Sequence, residues 1–317
     1  MIYKVLIVGL GKIGLGYDLI SDSNNTIKTH ARAFECHNQY SLIGGIDYLE
    51  SARKTFEEIY HVPTFTNLNT ALIKLNPDIV VVASPTDSHL HDIEEIVNNS
   101  SVKAILCEKP LSYDVEDAKK IVNLCDSHKI KLYVNYYRRA DPAVIELKNS
   151  FVTGEIASPI KGVAWYSKGL LHNGSHFIDL LKFWFGPILS SQIIKKGSDI
   201  SKADFALDFR IDFKNANIIF LAAEEKFYTH CTIELVSSDG RLSYEQGGNR
   251  VLWQSISKSK DIRKLSDSEE SIKSDFDHYQ FNIVNELENA MLDLPHNLTT
   301  GHEGLETIKD IFSIIRN

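Results

Sequence analysis

Up to about residue 138 the chain alternates between two textures. Short runs rich in Val, Ile and Leu stand at residues 5–8, 42–46, 79–82, 104–106 and 131–134. Between them the apolar positions take helical spacing. Leu90, Ile93, Ile96 and Val97 form one stripe, and Val115, Ala118, Ile121, Val122 and Cys125 another. Near-continuous apolar strands alternating with amphipathic helices predict an α/β region whose parallel sheet is covered on both faces. Such a sheet takes its ligands at the carboxyl ends of its strands.

The texture changes after Arg138. Residues 174–185 read as a helix stopped by Gly186 and Pro187. Strand-like runs follow at 188–195, 205–213, 217–223, 230–236, 242–245 and 251–255, with turn signals such as Asp239-Gly240 and Gly247-Gly248-Asn249 between them. They predict a mainly antiparallel open sheet. Residues 275–292 and 303–315 read as helices, the last with Leu305, Ile308, Ile311, Phe312 and Ile315 on one face. The polar residues 257–274 are expected to be an exposed loop, and the polar residues 17–29 an insertion.

Length supports this division, since 317 residues exceed one ordinary core. The content of 43% hydrophobic and 24% charged residues fits a globular protein. With 34 basic against 42 acidic residues, the net charge of −8 offers no basic stripe for nucleic acid. The pair Arg138 and Arg139 is a local exception suited to a small anion. No apolar run approaches the roughly 18 residues of a membrane helix. Residues 1–9 run straight into glycines and read as a buried strand, not a signal sequence. Cys36, Cys107, Cys125 and Cys231 form no CxxC pair and are expected to be buried free thiols in a reducing compartment, the cytoplasm.

The first motif is Gly9-Leu10-Gly11-Lys12-Ile13-Gly14, a GxGxxG directly after an apolar strand. Gly9 permits the tight turn, Gly11 leaves room for a pyrophosphate, and Gly14 lets the following helix approach the strand. This predicts a Rossmann domain over residues 1–138, followed by an α+β domain over residues 139–317, its last helix able to pack back on the first. An acidic residue should close the second strand and hold the adenosine ribose. Asp47 fits, 33 positions beyond Gly14 instead of the usual distance of about 20, and the insertion accounts for the excess. A carboxylate there favours NAD over NADP, although Arg53 and Lys54 stand nearby.

Glu108-Lys109-Pro110 follows the strand run 104–106, where ligands bind. His176 and Asp179, three apart in the predicted helix 174–185, share a face. His89 and His91 stand two apart on a predicted helix and point in different directions, so no metal site is expected.

In this order the pieces resemble the Gfo/Idh/MocA oxidoreductases. The matching residues are the glycine fingerprint, Ala83-Ser84-Pro85-Thr86-Asp87-Ser88-His89, Glu108-Lys109-Pro110, Arg139-Ala140-Asp141-Pro142, and Gly174 with His176 and Asp179; Thr300-Gly301-His302-Glu303-Gly304-Leu305 is similar to the family's last helix. The resemblance implies a dinucleotide cleft formed by Gly9, Gly11, Lys12, Ile13, Gly14 and Asp47, with Ser84, Pro85, Thr86, His89, Glu108 and Lys109. It implies Lys109 and His176 as catalytic residues, and substrate contacts at Tyr136, Arg139, Lys168, His172 and Asn173. It also implies a cis Lys109–Pro110 bond. Members often carry Asp or Asn where this chain has His172, which separates it from inositol-type contacts.

The implied activity is hydride transfer between nicotinamide and a secondary alcohol or ketone of a sugar. A nucleotide sugar is the first reading, because Arg138, Arg139 and Lys168 suit a diphosphate. A free sugar or polyol is the alternative. A dinucleotide-binding sensor and an NAD-dependent glycosidase are the readings from other classes. Apolar residues on both faces of 217–223 predict a homodimer or homotetramer built through the second sheet.

Overall fold

The apolar runs of the first region pair side by side. In the computed structural model, which describes residues 2–20, 25–197, 199–201, 204–257 and 264–316, they become β1 (Tyr3–Val8), β2 (Tyr40–Ile46), β3 (Thr64–Phe65), β4 (Ile79–Val82), β5 (Ala104–Cys107) and β6 (Lys131–Val134). These strands are parallel, in the order β3-β2-β1-β4-β5-β6. Helices α1 (Tyr17–Ile20), α2 (His30–Glu35), α3 (Glu50–Tyr60), α4 (Leu68–Leu75), α5 (His89–Asn99) and α6 (Val115–Ser127) fill the connections. Every residue of β4 and β5 is buried, as a sheet covered on both faces requires. The strand order reverses between β1 and β4, so their carboxyl ends frame the crevice of a doubly wound sheet.

The second unit starts with α7 (Pro142–Thr153), capped by Asp141 and with Pro142 in its first turn. Its strands are β7 (Ile160–Tyr166), β8 (Ser190–Lys195), β9 (Asp199–Ser201), β10 (Asp204–Phe205), β11 (Asp208–Asp212), β12 (Ala216–Ala222), β13 (Thr232–Val236), β14 (Gly240–Glu245), β15 (Arg250–Ser255) and β16 (Glu270–Ile272), with α8 (Ser175–Phe185) after β7. Eight of them form one sheet, β16-β15-β14-β13-β7-β12-β11-β8, antiparallel except for β7 beside β12. β9 and β10 pair separately. The central strand β7 was not among the expected strands, and β16 falls where an exposed loop was expected. Of that loop, residues 258–263 lie outside the described residues, as do 21–24 of the expected insertion.

One face of this sheet is sealed. Phe209 and Phe220 stack at 4.6 Å between centroids, and Tyr166 meets both. Phe177 and Trp184 of α8 pack edge-on against Tyr244. The Trp184 indole N–H donates to the Val144 carbonyl of α7 at 3.1 Å. The other face is partly apolar at its centre, where Val163 pairs with Ile219 and Trp165 with Leu221. Ile219 and Trp165 remain 37% and 38% exposed.

The chain ends with α9 (Tyr279–Met291), β17 (Thr299–Thr300) and α10 (Gly301–Arg316). The compact units are residues 1–140 with 277–308, and 141–276 with 309–317. A cut after residue 138 therefore assigns residues 277–308 to the wrong unit. α9 sends Ile283, Val284, Leu287 and Ala290 into the core of the first unit, with Val5, Ile7 and Val81, and β17 adds an antiparallel edge to β6. On α10, Ile314 is the buried residue of the last turn in place of Ile315. No helix among the described residues is long and apolar enough to cross a membrane.

Candidate functional site

The crevice of the first unit starts at the glycine turn. Gly9 has φ +94°, and a Cβ placed on it would stand 2.5 Å from the Ala83 carbonyl oxygen. A Cβ on Gly14 would stand 2.1 Å from the Gly9 carbonyl oxygen. Both positions are closed by backbone: a side chain at Gly9 would push the turn off the 83–86 loop, and one at Gly14 would push the following helical turn off Gly9. A Cβ on Gly11 would meet nothing within 4 Å. The glycine that protein packing does not require thus borders open space, as expected for a backbone that must approach a pyrophosphate. Lys12 is exposed and Ile13 half-buried on the wide helical turn Lys12–Gly16. The insertion closes on itself: the Asp18 carboxylate accepts from the amides of Lys28 and Thr29 and from the Thr29 hydroxyl.

Asp47 follows β2 and fixes this turn. Its Oδ2 accepts from the Leu10 amide at 2.9 Å and its Oδ1 from the Leu49 amide at 2.8 Å. Each oxygen keeps a second lone pair for a ribose hydroxyl. Arg53 donates to the carbonyls of Asp47 and Tyr48, whereas Lys54 pairs with Glu50 in solvent.

The 83–86 loop, after β4, carries Ser84, exposed Pro85 and Thr86. The Ser84 hydroxyl donates to Asp92 at 2.5 Å. His89 was expected to cap or line the cofactor cleft; it is fully buried and bonds to the backbone of the 83–86 loop. Its Nε2 lies 3.0 Å from the Ser84 carbonyl, and its Nδ1 lies 3.4 Å from the Cys107 thiol and 3.2 Å from the Leu111 carbonyl. Burial lowers the His89 pKa and raises that of Cys107. A neutral imidazole carries one N–H, so it donates to one of these two carbonyls at a time. His89 therefore ties the ends of β4 and β5 together. His91, two residues on, is exposed.

Glu108 sits in a network that the sequence reading missed. Its Oε1 lies 2.8 Å from His30 Nε2 and accepts from Asn135 Nδ2 at 2.6 Å. Asn135 Nδ2 also reaches Gln280 Oε1 at 3.3 Å. Burial alone would raise the Glu108 carboxyl. The donors His30 and Asn135, with the charge of Lys109 beside it, outweigh burial and hold it below its usual value. His30 is 0% exposed, and its Nδ1 has no hydrogen-bond partner among the described residues. The next peptide, Lys109–Pro110, is cis as the resemblance implied, and Lys109 is half-buried.

Three further expectations need correction or qualification. Arg139 is 4% exposed and committed to Glu303 at 2.6 Å. Glu303 also accepts from the Thr300 amide and hydroxyl, while its own amide donates back to Thr300 Oγ1, so Arg139 is anchored to the capping box of α10. Arg138 is 8% exposed and lies over the Tyr137 ring. Tyr136 is buried at 1%. A cationic pair exposed to a diphosphate is therefore not what this segment presents. Cys36 is exposed, although all four thiols are free.

In the second unit the chain leaves β7 through Lys168, at φ +66°, and enters a wide helical turn, Leu170–Gly174, that runs into α8. The Asp204 carboxylate holds this turn, accepting from the amides of Leu171, His172 and Phe205 at 2.8, 3.0 and 2.8 Å. The Ser175 hydroxyl donates back to the Leu171 carbonyl at 2.7 Å. His172 is exposed and Asn173 half-buried. One turn on, His176 and Asp179 are 4% and 1% exposed. Beside Lys168 and His172 lies a cavity of about 470 Å³.

Residues 3–136 match the model of the Gfo/Idh/MocA family, described as an oxidoreductase family with an NAD-binding Rossmann fold. D-xylose 1-dehydrogenase [NADP(+)] of Haloarcula marismortui is 31% identical over 104 residues, 33% of this chain and 28% of that protein. Inositol 2-dehydrogenase of Rhizobium meliloti is 28% identical over 152 residues, 47% of this chain and 41% of that protein. The chain thus matches less than half the length of these relatives. Among solved structures, aldose-aldose oxidoreductase from Caulobacter crescentus, complexed with glycerol, has a TM-score of 0.79 at 17% identity, covering 100% of this chain and 97% of the other. The WlbA dehydrogenase from Bordetella pertussis, in complex with NADH and UDP-GlcNAcA, has a TM-score of 0.76 at 18% identity, covering 100% and 96%. At these identities the likeness is one of fold.

The Glu108 network predicts a pH effect. A carboxyl held below its ordinary value contributes stability that is present above the ordinary carboxylate range and is lost as pH falls through the folded value. His30→Phe removes a donor but fills the space. It should cost about 1–3 kcal/mol at neutral pH, and because it removes a donor that holds the folded carboxyl down, the stability gap between parent and variant should narrow as pH falls through the carboxylate range. Urea unfolding at a series of pH values checks this; a gap that stays constant with pH would refute it.

Proposed function

We propose that this chain, which belongs through residues 3–136 to the Gfo/Idh/MocA oxidoreductases, is an NAD(H)-dependent dehydrogenase or reductase acting on a secondary alcohol or ketone of a sugar or polyol. The observation that carries the reading is the glycine turn at the switch point of the sheet, open at Gly11 and closed at Gly9 and Gly14, with Asp47 fixed beside it. When bound, nicotinamide supplies the hydride chemistry. The Gly11 region holds the pyrophosphate, and Ser84, Pro85 and Thr86 border the same crevice. Asp47 offers its remaining lone pairs to the ribose hydroxyls and repels a 2′-phosphate, which supports NAD over NADP. Lys109 stabilises the developing alkoxide as a fixed cation. His176 exchanges the hydroxyl proton as general base or acid.

Inositol and xylose dehydrogenases among the relatives support a free sugar or polyol. The WlbA complex supports a nucleotide-linked one. The pairing of Arg139 with Glu303 and of Lys168 with Glu225 favours the first. A sensor would bind the dinucleotide without turnover, and a glycosidase would use it without net NADH; stoichiometric NADH release separates a dehydrogenase from both. The free thiols fit a reducing compartment such as the cytoplasm.

Three outcomes follow. Lys109→Ala and His176→Ala should each slow single-turnover hydride transfer by about 10²-fold or more while dinucleotide affinity stays near normal, because the phosphates are held elsewhere. Near-normal turnover in both would overturn the catalytic assignment and favour the sensor. Asp47→Ala should weaken NAD and narrow its advantage over NADP in equilibrium binding; equal or tighter NADP binding by the parent would remove the ribose assignment. The apolar centre of the open sheet face, Val163, Trp165, Ile219 and Leu221, supports a homodimer or homotetramer built through it. Light scattering at micromolar concentration should give a multiple of the chain mass, and a monomer mass would exclude this.

A further inference from the structure

Lys109 is the cation of the proposed reaction, and the residue before it is an acid. The Glu108 side chain is 12% exposed, so a charge there needs support from its neighbours. Two side chains meet it, both at Oε1: His30 Nε2 at 2.8 Å and Asn135 Nδ2 at 2.6 Å. The same Asn135 nitrogen reaches Gln280 Oε1 at 3.3 Å, which turns the amide with its N–H groups towards the carboxylate. His30, Glu108, Asn135 and Gln280 all belong to the first compact unit.

His30 is held independently of Glu108. It opens α2, where the Thr29 side chain caps the Arg32 amide. Thr29 is itself bound by the Asp18 carboxylate through its amide and hydroxyl. Ala31, Ala33 and Phe34 of the same helix lie in the core. The ring is 0% exposed, and Nε2 is its only nitrogen with a partner among the described residues. Protons on both nitrogens would bury an N–H with no acceptor, which carries the full desolvation penalty of that group. The ring therefore donates from Nε2 as a neutral group, and the negative charge stays on Glu108.

A neutral donor leaves the carboxylate in need of a counter-charge. Cys107, His89 and Tyr279 also feel its field, but burial disfavours the charged form of each. The counter-charge is Lys109. Burial would raise the Glu108 carboxyl, and His30, Asn135 and the Lys109 charge together outweigh it. Coulomb attraction is mutual, so the carboxylate supports the ammonium as much as the ammonium supports it.

We propose that His30 is a positioning residue for the hydride transfer: it keeps Glu108 ionised, and the ionised Glu108 keeps the Lys109 ammonium charged and in place. The proposal rests on the dehydrogenase reading above and adds to it a fully buried residue that acts through another. Without the His30 donor, the buried carboxyl takes up a proton at a higher pH. Lys109 then loses its counter-charge, gives up its own proton more readily and is no longer anchored.

The test compares His30→Phe and His30→Leu, which fill the space without a donor, with His30→Gln, whose amide N–H reaches where Nε2 stands. Glu108 is followed by carbon-13 NMR of the glutamate carboxyls against pH, with Glu108→Gln to identify its signal. Lys109 is followed by its rate of acetylation by acetic anhydride, read by mass spectrometry. Neither measurement needs turnover. Hydride transfer is followed in single turnover with NAD and myo-inositol, D-xylose or UDP-N-acetylglucosamine. In the donor-free variants Glu108 should titrate at a higher pH than in the parent. Just below that pH, Lys109 should acetylate faster than in the parent, and hydride transfer should be slower by about tenfold. Above it, the ratio of variant to parent rates should return towards one. His30→Gln should restore all three. An unchanged Glu108 titration overturns the proposal. So does a slowing of hydride transfer that is the same at every pH or that His30→Gln does not relieve, since either marks a merely structural role. The two readings fail differently. If Glu108 and Lys109 respond as expected while the parent reduces no NAD, the dehydrogenase reading falls and the link from His30 to Lys109 stands. If the parent turns over and Lys109 does not respond, the dehydrogenase stands and the link falls.

Discussion

The first unit depends on backbone meeting backbone at the carboxyl ends of β1 and β4. Gly9 lies against the Ala83 carbonyl, and Gly14 lies against Gly9. No side chain fits at either contact, so the distance between strand, turn and helix is set by main-chain atoms alone. That constraint positions the rest of the crevice. Asp47 reaches the Leu10 amide only because the turn is this tight, and the 83–86 loop is drawn to the same point. Gly11 is left facing open space, and the structure carries there a glycine it does not need for its own packing.

Around this rigid start, charge is handled by enclosure. Glu108 stays ionised in a buried setting because a histidine and an asparagine donate to it. His89 stays neutral in a comparable setting because it is desolvated between a thiol and backbone carbonyls. Two histidines at similar burial thus serve opposite ends. One supports a charge next to Lys109, and the other fastens two strand ends without bearing any. Hydrogen-bond partners decide this difference, since desolvation acts on both groups.

Much of the first unit was legible because its signals are local. Apolar runs became β1, β2, β4, β5 and β6 nearly to the residue, and the glycine spacing located the turn. What escaped was what depends on partners far along the chain. His30 opens a six-residue helix with no periodicity to mark it, and its role appears only when Glu108, 78 positions away, is beside it. Arg139 read as an exposed cation because Glu303 is 164 positions away. β7 was passed over because Lys161 and Gly162 interrupt its apolar pattern, although its place between β12 and β13 is the centre of the sheet. α3 buries only Phe56, too little for a stripe. α7 did carry a local signal, Asp141 before Pro142 and Gly154 after the last turn, and a capping argument would have found it.

The two units place their specificity in different kinds of structure. In the first, the dinucleotide turn is made of main-chain contacts, and a change of residue there disturbs the fold before it alters the ligand. In the second, the segment holding His172 is clamped by the Asp204 carboxylate through the two amides of Leu171 and His172, which do not depend on which side chains stand at those positions. His172 can therefore vary without loosening the turn that leads into α8. A pair of opposed charges such as Lys168 with Glu225 is also easily redirected, because removing the glutamate leaves an unmatched ammonium and a site for an anion.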